Sequence, residues 1–476
     1  MHRLLGAAAI GAVVAGCAVG PNYHRPETRV DQRFVNAGEQ GFAQGDTVQQ
    51  YWTGFADPML NDLVQDSLLH NQDLAVAAAN LRAARAARRL AGFDQYPTVT
   101  FAGSYSKDLY SAQQAFGAPF QEREFDNAQV GFDGLWELDL FGRVRRNVEA
   151  ARGDLGASAA TLQDARVSVI AEVIRDYFVL RGLQDQLALT KRNAENQQST
   201  LTLTRNRLEA GRGNELDTSR AEAQWQTTLA SIPTLEATIA TTIYRLSVLT
   251  GRQPAALSER LAPVMATPPM PPLNAIGTPE QLLRRRPDVR IAERRLAAAT
   301  ARVGVAMGDL FPKVTMMGEL GYSAPSFGDF GSNEARFFSF GPSITWAAFD
   351  LGRVQARIGE SKALTDAALA TYQGAVLNAL EDTEGALITY GRAQTRRQSL
   401  QVAAAASDKA ADLARKRFEG GLIDFLEVLD AERTALSAEL LLSQSRTDAA
   451  TSLVAVYKAL GAGWEATPPA AAGAGR

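Results

Sequence analysis

The sequence predicts a mainly α-helical protein with a small β part, assembled from two copies of one unit. Three observations predict it. From Gly352 to Gly421 there are 69 positions without a proline, with apolar or small residues at Leu369, Tyr372, Val376, Leu380, Thr383, Leu387 and Tyr390. That alternation of three and four is a coiled-coil seam, and a helix of this length reaches ~100 Å at about 1.5 Å per residue. The same spacing separates Gly142 from Gly211, with a seam at Val148, Leu155, Leu162, Val169, Val173 and Leu180. Other pairs match at offsets of 210 to 215, among them Tyr96-Pro97 with Phe311-Pro312 and Ala221-Glu222 with Ala431-Glu432. Finally, four short stretches alternate apolar and polar residues at symmetric places in the two copies.

Composition removes several function classes. Net charge is −3 from 49 basic and 52 acidic residues, so no field is strong enough to argue for nucleic acid. Cys17 is the only cysteine, which excludes disulfides within the chain, and His2, His24 and His70 lie far apart without metal-ligand spacing. There is no phosphate-binding glycine loop, nucleophile elbow or zinc-protease pair, so neither an enzyme nor a cofactor is expected. Gly211-Arg212-Gly213 sits at a helix turn and reads as a C-cap.

In chain order, residues 1–16 have a positive start and a short apolar run, the layout of an export signal and too short to span a bilayer. Val14-Ala15-Gly16-Cys17 resembles the lipobox of bacterial lipoproteins, which implies acylation of Cys17, and Ala18 resembles the pattern that permits passage to the outer membrane. Residues 17–57 read as an extended lipid-anchored segment. The first repeat covers 58–251. Its helical pattern starts at Pro58 and ends at Tyr96-Pro97, because the residue before proline is pushed out of the α region. Strands follow at about 98–106 and 127–140, with Val99, Phe101, Tyr105, Val130, Phe132, Trp136 and Leu138 on the apolar side. Pro233 should kink or end its helix. Residues 252–279, rich in proline, read as an extended linker. The second repeat, 280–464, has strands at about 314–323 and 338–346, with Val314, Met316, Leu320, Tyr322, Phe338, Phe340, Ile344 and Trp346 on the apolar side. Loops 107–126 and 324–337 would lie on the outer surface, the second helical seam resumes at Leu422, Leu426, Leu429, Leu436 and Leu440, and 465–476 is expected to be disordered.

Each strand alone could cover a soluble core. Four of them beside a lipid anchor point instead to membrane strands. Four cannot close a barrel, and open edges are not tolerated in lipid. Strands must then be pooled between copies: two copies supply about eight and three about twelve, of which the larger leaves a water-filled lumen.

The chain resembles the outer membrane factor family, the exit ducts of efflux pumps, and within it the lipoprotein branch. The residues that carry the resemblance are Cys17 to Tyr23 with Arg25-Pro26, Tyr51-Trp52 with Phe55 and Asp57-Pro58, Arg285 to Arg290 with Ala292-Glu293, Phe311-Pro312, and Tyr457 to Gly461 with Gly463-Trp464. The resemblance implies a homotrimer with a twelve-stranded barrel in the outer membrane, a helical tunnel in the periplasm, and docking to an inner-membrane transporter through a periplasmic adaptor. It implies passive, gated conduction with no covalent chemistry on the cargo. By likeness to the family's acidic ring, Glu427 and Asp430 are expected at the gate, with Asp424 beside them. Spacing of three puts Glu427 and Asp430 on one helix face, and acids at a helix start also serve the macrodipole. Phe418 and Ile423 stand where some members have a Tyr and an Arg that latch the gate, and Asp217 is expected to pair with a neighbouring basic residue. The tips, Arg207, Leu208 and Gly211 with Arg417, Phe418 and Gly421, resemble adaptor-docking turns. Two rivals remain at this stage: the exit duct of a protein-secretion system, and a lipid-anchored periplasmic coiled-coil scaffold without a pore.

Overall fold

The computed structural model describes residues 18–37, 50–114, 116–117, 119–265, 267–273 and 275–463. The export signal, Cys17, Trp464 and the C-terminal tail lie outside the described residues. The chain runs α1 (Pro58–His70), α2 (Gln72–Phe93), β1 (Thr98–Leu109), β2 (Glu124–Leu138), α3 (Arg143–Glu209), α4 (Glu215–Leu249), α5 (Ser258–Leu261), α6 (Pro279–Arg285), α7 (Pro287–Gly308), β3 (Lys313–Ala324), β4 (Arg336–Thr345), α8 (Leu351–Glu419) and α9 (Phe425–Ala459). The two long helices, α3 and α8, have 67 and 69 residues, and each is followed by a 35-residue return helix. The duplication read from the sequence is therefore a duplication of structure.

One compact unit holds Asn80–Ala159 and Ile291–Gly374 with the described residues up to Glu27. Its sheet is a single antiparallel meander, β1-β2-β3-β4. Register aligns the apolar side chains in rows: Phe101 opposite Phe132, Phe132 opposite Leu320, and Leu320 opposite Phe338. One residue along, Thr100, Asp133, Glu319 and Ser339 form a polar row on the other face. The apolar rows are bare: Phe338 is 84% exposed and Phe340 76%. Among the described residues β1 and β4 each have one partner, so both edges carry unpaired backbone groups there. The indoles sit at one end of this face and repeat each other. Trp136 donates to the Gln95 carbonyl at 3.1 Å and Trp346 to the Leu310 carbonyl at 3.0 Å. The strands run past their expected ends at the loop side, because Lys107 pairs with Glu124 at 2.6 Å and the ladder continues to Leu109. The loops shrink to 110–123 and 325–335.

The segment after Cys17 is built into this unit. The Val19 N–H donates to the Phe141 carbonyl at 3.0 Å, and Arg146 donates to Val19, Gly20 and Asn22. A Cβ on Gly142 (φ +83°) would meet Ala18 at 2.5 Å, so glycine is required there.

The other unit holds Thr28–Ala79, Ala160–Arg290 and the described part of Ala375–Arg476. Its core corrects two sequence expectations. Tyr51, Trp52 and Phe55, placed in an extended segment, are buried: Tyr51 stacks on Tyr457 at 4.4 Å and Phe55 meets Phe178 edge-on at 4.9 Å. Burying each ring is worth about 1.5–3 kcal/mol, enough to fix the short helix Tyr51–Phe55 despite its glycine. The proline-rich linker likewise folds back, carrying a turn of helix at Pro254–Leu257 and α5, with Leu257, Leu261, Leu273 and Ile276 in the core. Asp57 caps α1 by accepting from the Leu60 N–H at 3.1 Å, and its second oxygen accepts from the Tyr177 hydroxyl at 2.6 Å. Burial and the Asp57 bond hold the Tyr177 phenol protonated, its pKa raised to about 12. Arg286 of the Arg-Pro-Asp motif is buried and joins Asp288 and Asp382 to the carbonyls of Ala379 and Ala459, the last of these at the end of α9. These motif residues hold the fold rather than a site.

Pro233 does not end its helix: α4 runs through it to Leu249. The seam of α8 is observed, with Tyr372, Val376, Thr383, Leu387 and Tyr390 buried. That of α9 is shifted at its start: Leu429 is buried as expected, but Leu422 and Leu426 are 76% and 56% exposed, and Phe425 and Val428 are buried in their place. The helix begins only at Phe425, so Leu422, in the turn before it, does not follow its phase.

Candidate functional site at the hairpin tips

Both tips close with the same backbone. After α3, the Gly211 N–H donates to the Leu208 carbonyl at 2.9 Å and the Arg212 N–H to the Arg207 carbonyl at 2.8 Å. After α8, Gly421 donates to Phe418 at 2.9 Å and Leu422 to Arg417 at 2.9 Å. These are paired Schellman bonds, and they require a left-handed residue. Gly211 has φ +70° and Gly421 +74°, with open space where a Cβ would point, so conformation rather than crowding demands the glycines.

The return helices start differently. Asn214 caps α4: its side chain accepts from the Asp217 N–H at 2.9 Å and donates to the Asp217 carboxylate at 2.8 Å. Asp217 thus pairs with Asn214, not with the basic neighbour expected. Asp424, the counterpart of Asn214, stands at the N-cap of α9 and makes no side-chain cap bond. Asp424, Glu427 and Asp430 are all exposed, and none has an ion-pair partner among the described residues. Their spacing lines three carboxylates along one helix face. Glu432, two residues further on, is buried and engaged, with Arg415 at 2.9 Å and Thr200 at 3.1 Å. The helix thus separates one neutralised carboxylate from three left free.

The expected docking residues divide as well. Leu208, Gly211, Arg417 and Gly421 are exposed. Phe418 is not: it is buried with Leu201, Ala221, Phe425, Val428 and Leu429, its ring 5.7 Å from that of Phe425. Arg207 covers it, the guanidinium 4.1 Å from the ring centre, and donates to the carbonyls of Phe418 and Glu419. Sequence reasoning missed this contact, although the repeat held a signal for it: both tips carry Arg at the same place, and only the second follows it with an aromatic residue.

A family model described as "Outer membrane efflux protein" matches residues 63–252 and 278–462, one segment in each repeat. The chain belongs to this family. It is 30% identical over 469 residues to "Nodulation protein T" of Rhizobium leguminosarum bv. trifolii, which covers 97% of both chains. It is also 29% identical to "Outer membrane protein OprJ" of Pseudomonas aeruginosa, over 96% of this chain and 95% of that one. Among solved structures, the outer-membrane channel OprN superposes with a TM-score of 0.88 at 42% identity, covering 94% of this chain and 100% of that one. The open state of the Neisseria gonorrhoeae MtrE outer membrane channel superposes with a TM-score of 0.81 at 26% identity, over 95% and 100%. This member of the outer membrane efflux family is an exit channel for efflux in the outer membrane, extending into the periplasm, and not an enzyme. The secretion-duct and poreless-scaffold alternatives fall away.

Proposed function

We propose that three copies of the chain pool their sheets into a twelve-stranded barrel, and that the hairpins continue it as a tunnel closed by the strip Asp424, Glu427 and Asp430. The observation that carries this is a four-stranded sheet whose bare apolar rows run in register between two unpaired edges. Such a face is stable in lipid and costly in water, and its edges are satisfied only by further strands. The two tryptophans at one end of the rows suit a membrane–water interface.

Cargo moves passively, and the energy comes from an inner-membrane transporter reached through a periplasmic adaptor. The adaptor engages the tips at Leu208 and Arg417, with Gly211 and Gly421 setting the turns, while Arg207 and Phe418 shape that surface from within. Nearby members are named for export of toluene, of antibiotics and of pyoverdine, so small organic molecules are the cargo class. Cys17 carries the lipid anchor, and the binding of residues 19–22 against Phe141 and Arg146 holds the segment that follows it.

Reconstitution into a planar bilayer tests the reading. Step conductances are expected from a detergent-purified trimer, together with quenching of Trp136 and Trp346 by brominated lipid. An electrically silent monomer with unquenched tryptophans contradicts it.

A further inference from the structure

The two tips share a backbone, yet of the matched pair Arg207 and Arg417 only Arg207 has a side-chain partner among the described residues. Arg207 reaches the last carbonyls of α8, those of Phe418 and Glu419. Its counterpart Arg417, 210 positions on, is exposed and has no side-chain partner among the described residues. The equivalent acceptors, at the end of α3, are the carbonyls of Leu208 and Glu209, and both residues are exposed. The negative end of a helix dipole favours a cation there.

We propose that Arg417 repeats across the subunit boundary what Arg207 does inside it, donating to the carbonyls of Leu208 of the partner subunit and Glu209 of the partner subunit. The inference rests on the trimeric channel reading. In a ring where two similar hairpins alternate, each tip presents the same side to the next, and a head-to-tail contact repeats until the ring closes. The first hairpin finds its successor in its own chain, whereas the second finds it only in another copy. The acceptors have the capacity: the Phe418 carbonyl already accepts from Gly421 when Arg207 adds to it, and the Leu208 carbonyl accepts from Gly211 in the same way.

The two contacts differ in strength. Arg207 lies over an aromatic ring at 4.1 Å, and the matching position of the first tip is a leucine without a π face. The boundary between subunits is therefore the weaker one, and the ring of tips parts there first. Arg417 and Leu208 are also the exposed docking residues, so an adaptor that takes hold of them withdraws the contact that keeps subunits together.

The test uses the full-length protein in detergent with a short bismaleimide, the single native Cys17 providing the unmodified background. Arg417→Cys/Glu209→Cys should give covalently linked dimers and trimers on denaturing gels. Arg207→Cys/Glu419→Cys should react within one chain and migrate as a monomer. A trimer by native mass that shows the second product and lacks the first overturns the proposed contact and leaves the channel reading standing; a monomer by native mass overturns both. In bilayers, Arg417→Ala should raise the frequency of open events roughly tenfold, the shift expected from losing one charge-assisted hydrogen bond, and Leu208→Phe should lower it. Unchanged gating in both variants excludes the contact from gating.

Discussion

The tip after α3 and the tip after α8 are the same turn carried by different side chains. Each ends on paired Schellman bonds around a glycine near φ +70°. The first tip satisfies itself: Asn214 caps the return helix and binds Asp217. The second leaves Asp424, Glu427 and Asp430 without an ion-pair partner among the described residues, while burying Phe418 beneath Arg207 and against Phe425. An exposed carboxylate without a partner adds little to stability beyond its effect on the helix dipole, and the proposed gate gives the three in a row a further use. One copy carries the capping chemistry and the other carries charge on its face.

Substitutions at matched positions sharpen that contrast. The largest difference is expected at Phe418. Phe418→Ala should cost about 3–5 kcal/mol locally, since it empties a packed cluster and strips Arg207 of its platform, whereas Leu208→Ala, at the exposed counterpart, should fall within about 0.5 kcal/mol. Hydrogen exchange of the amides around each turn reads both. Gly211→Ala and Gly421→Ala should be equal to one another, each costing about 1–2 kcal/mol for a left-handed residue with a Cβ. A large inequality would mean that the shared backbone is not shared in the assembled state. The smallest contrast lies at the caps. Asn214→Ala should lose about 1 kcal/mol, while Asp424→Ala leaves protection of the first turn of α9 unchanged, because no cap bond is there to lose.

Much of this was legible in the sequence. The strands showed in the alternation of Phe101, Phe132, Leu320 and Phe338, and the repeat fixed which strands correspond. Their ends did not show, since Lys107 and Glu124 extend the ladder through a cross-strand ion pair that apolar alternation cannot register. The acidic strip was visible through likeness to the family's acidic ring, and the spacing of three added only that Glu427 and Asp430 share a helix face. The burial of Phe418 was not, because its cover comes from Leu201, Ala221 and Arg207, some two hundred positions away and on the other hairpin. Tyr51, Trp52 and Phe55 hid for the opposite reason: their own neighbours are glycine, glutamine and threonine, and the core they enter belongs to α3, α4 and α9.

The reversal potential across a bilayer bathed in unequal potassium chloride tests the central claim most directly. If the strip lines the constriction, the wild type favours potassium and Glu427→Gln/Asp430→Asn moves the potential well towards zero, because two of the strip's three carboxylates are lost from each of three copies. A potential that is the same in both proteins would place those carboxylates away from the conducting path.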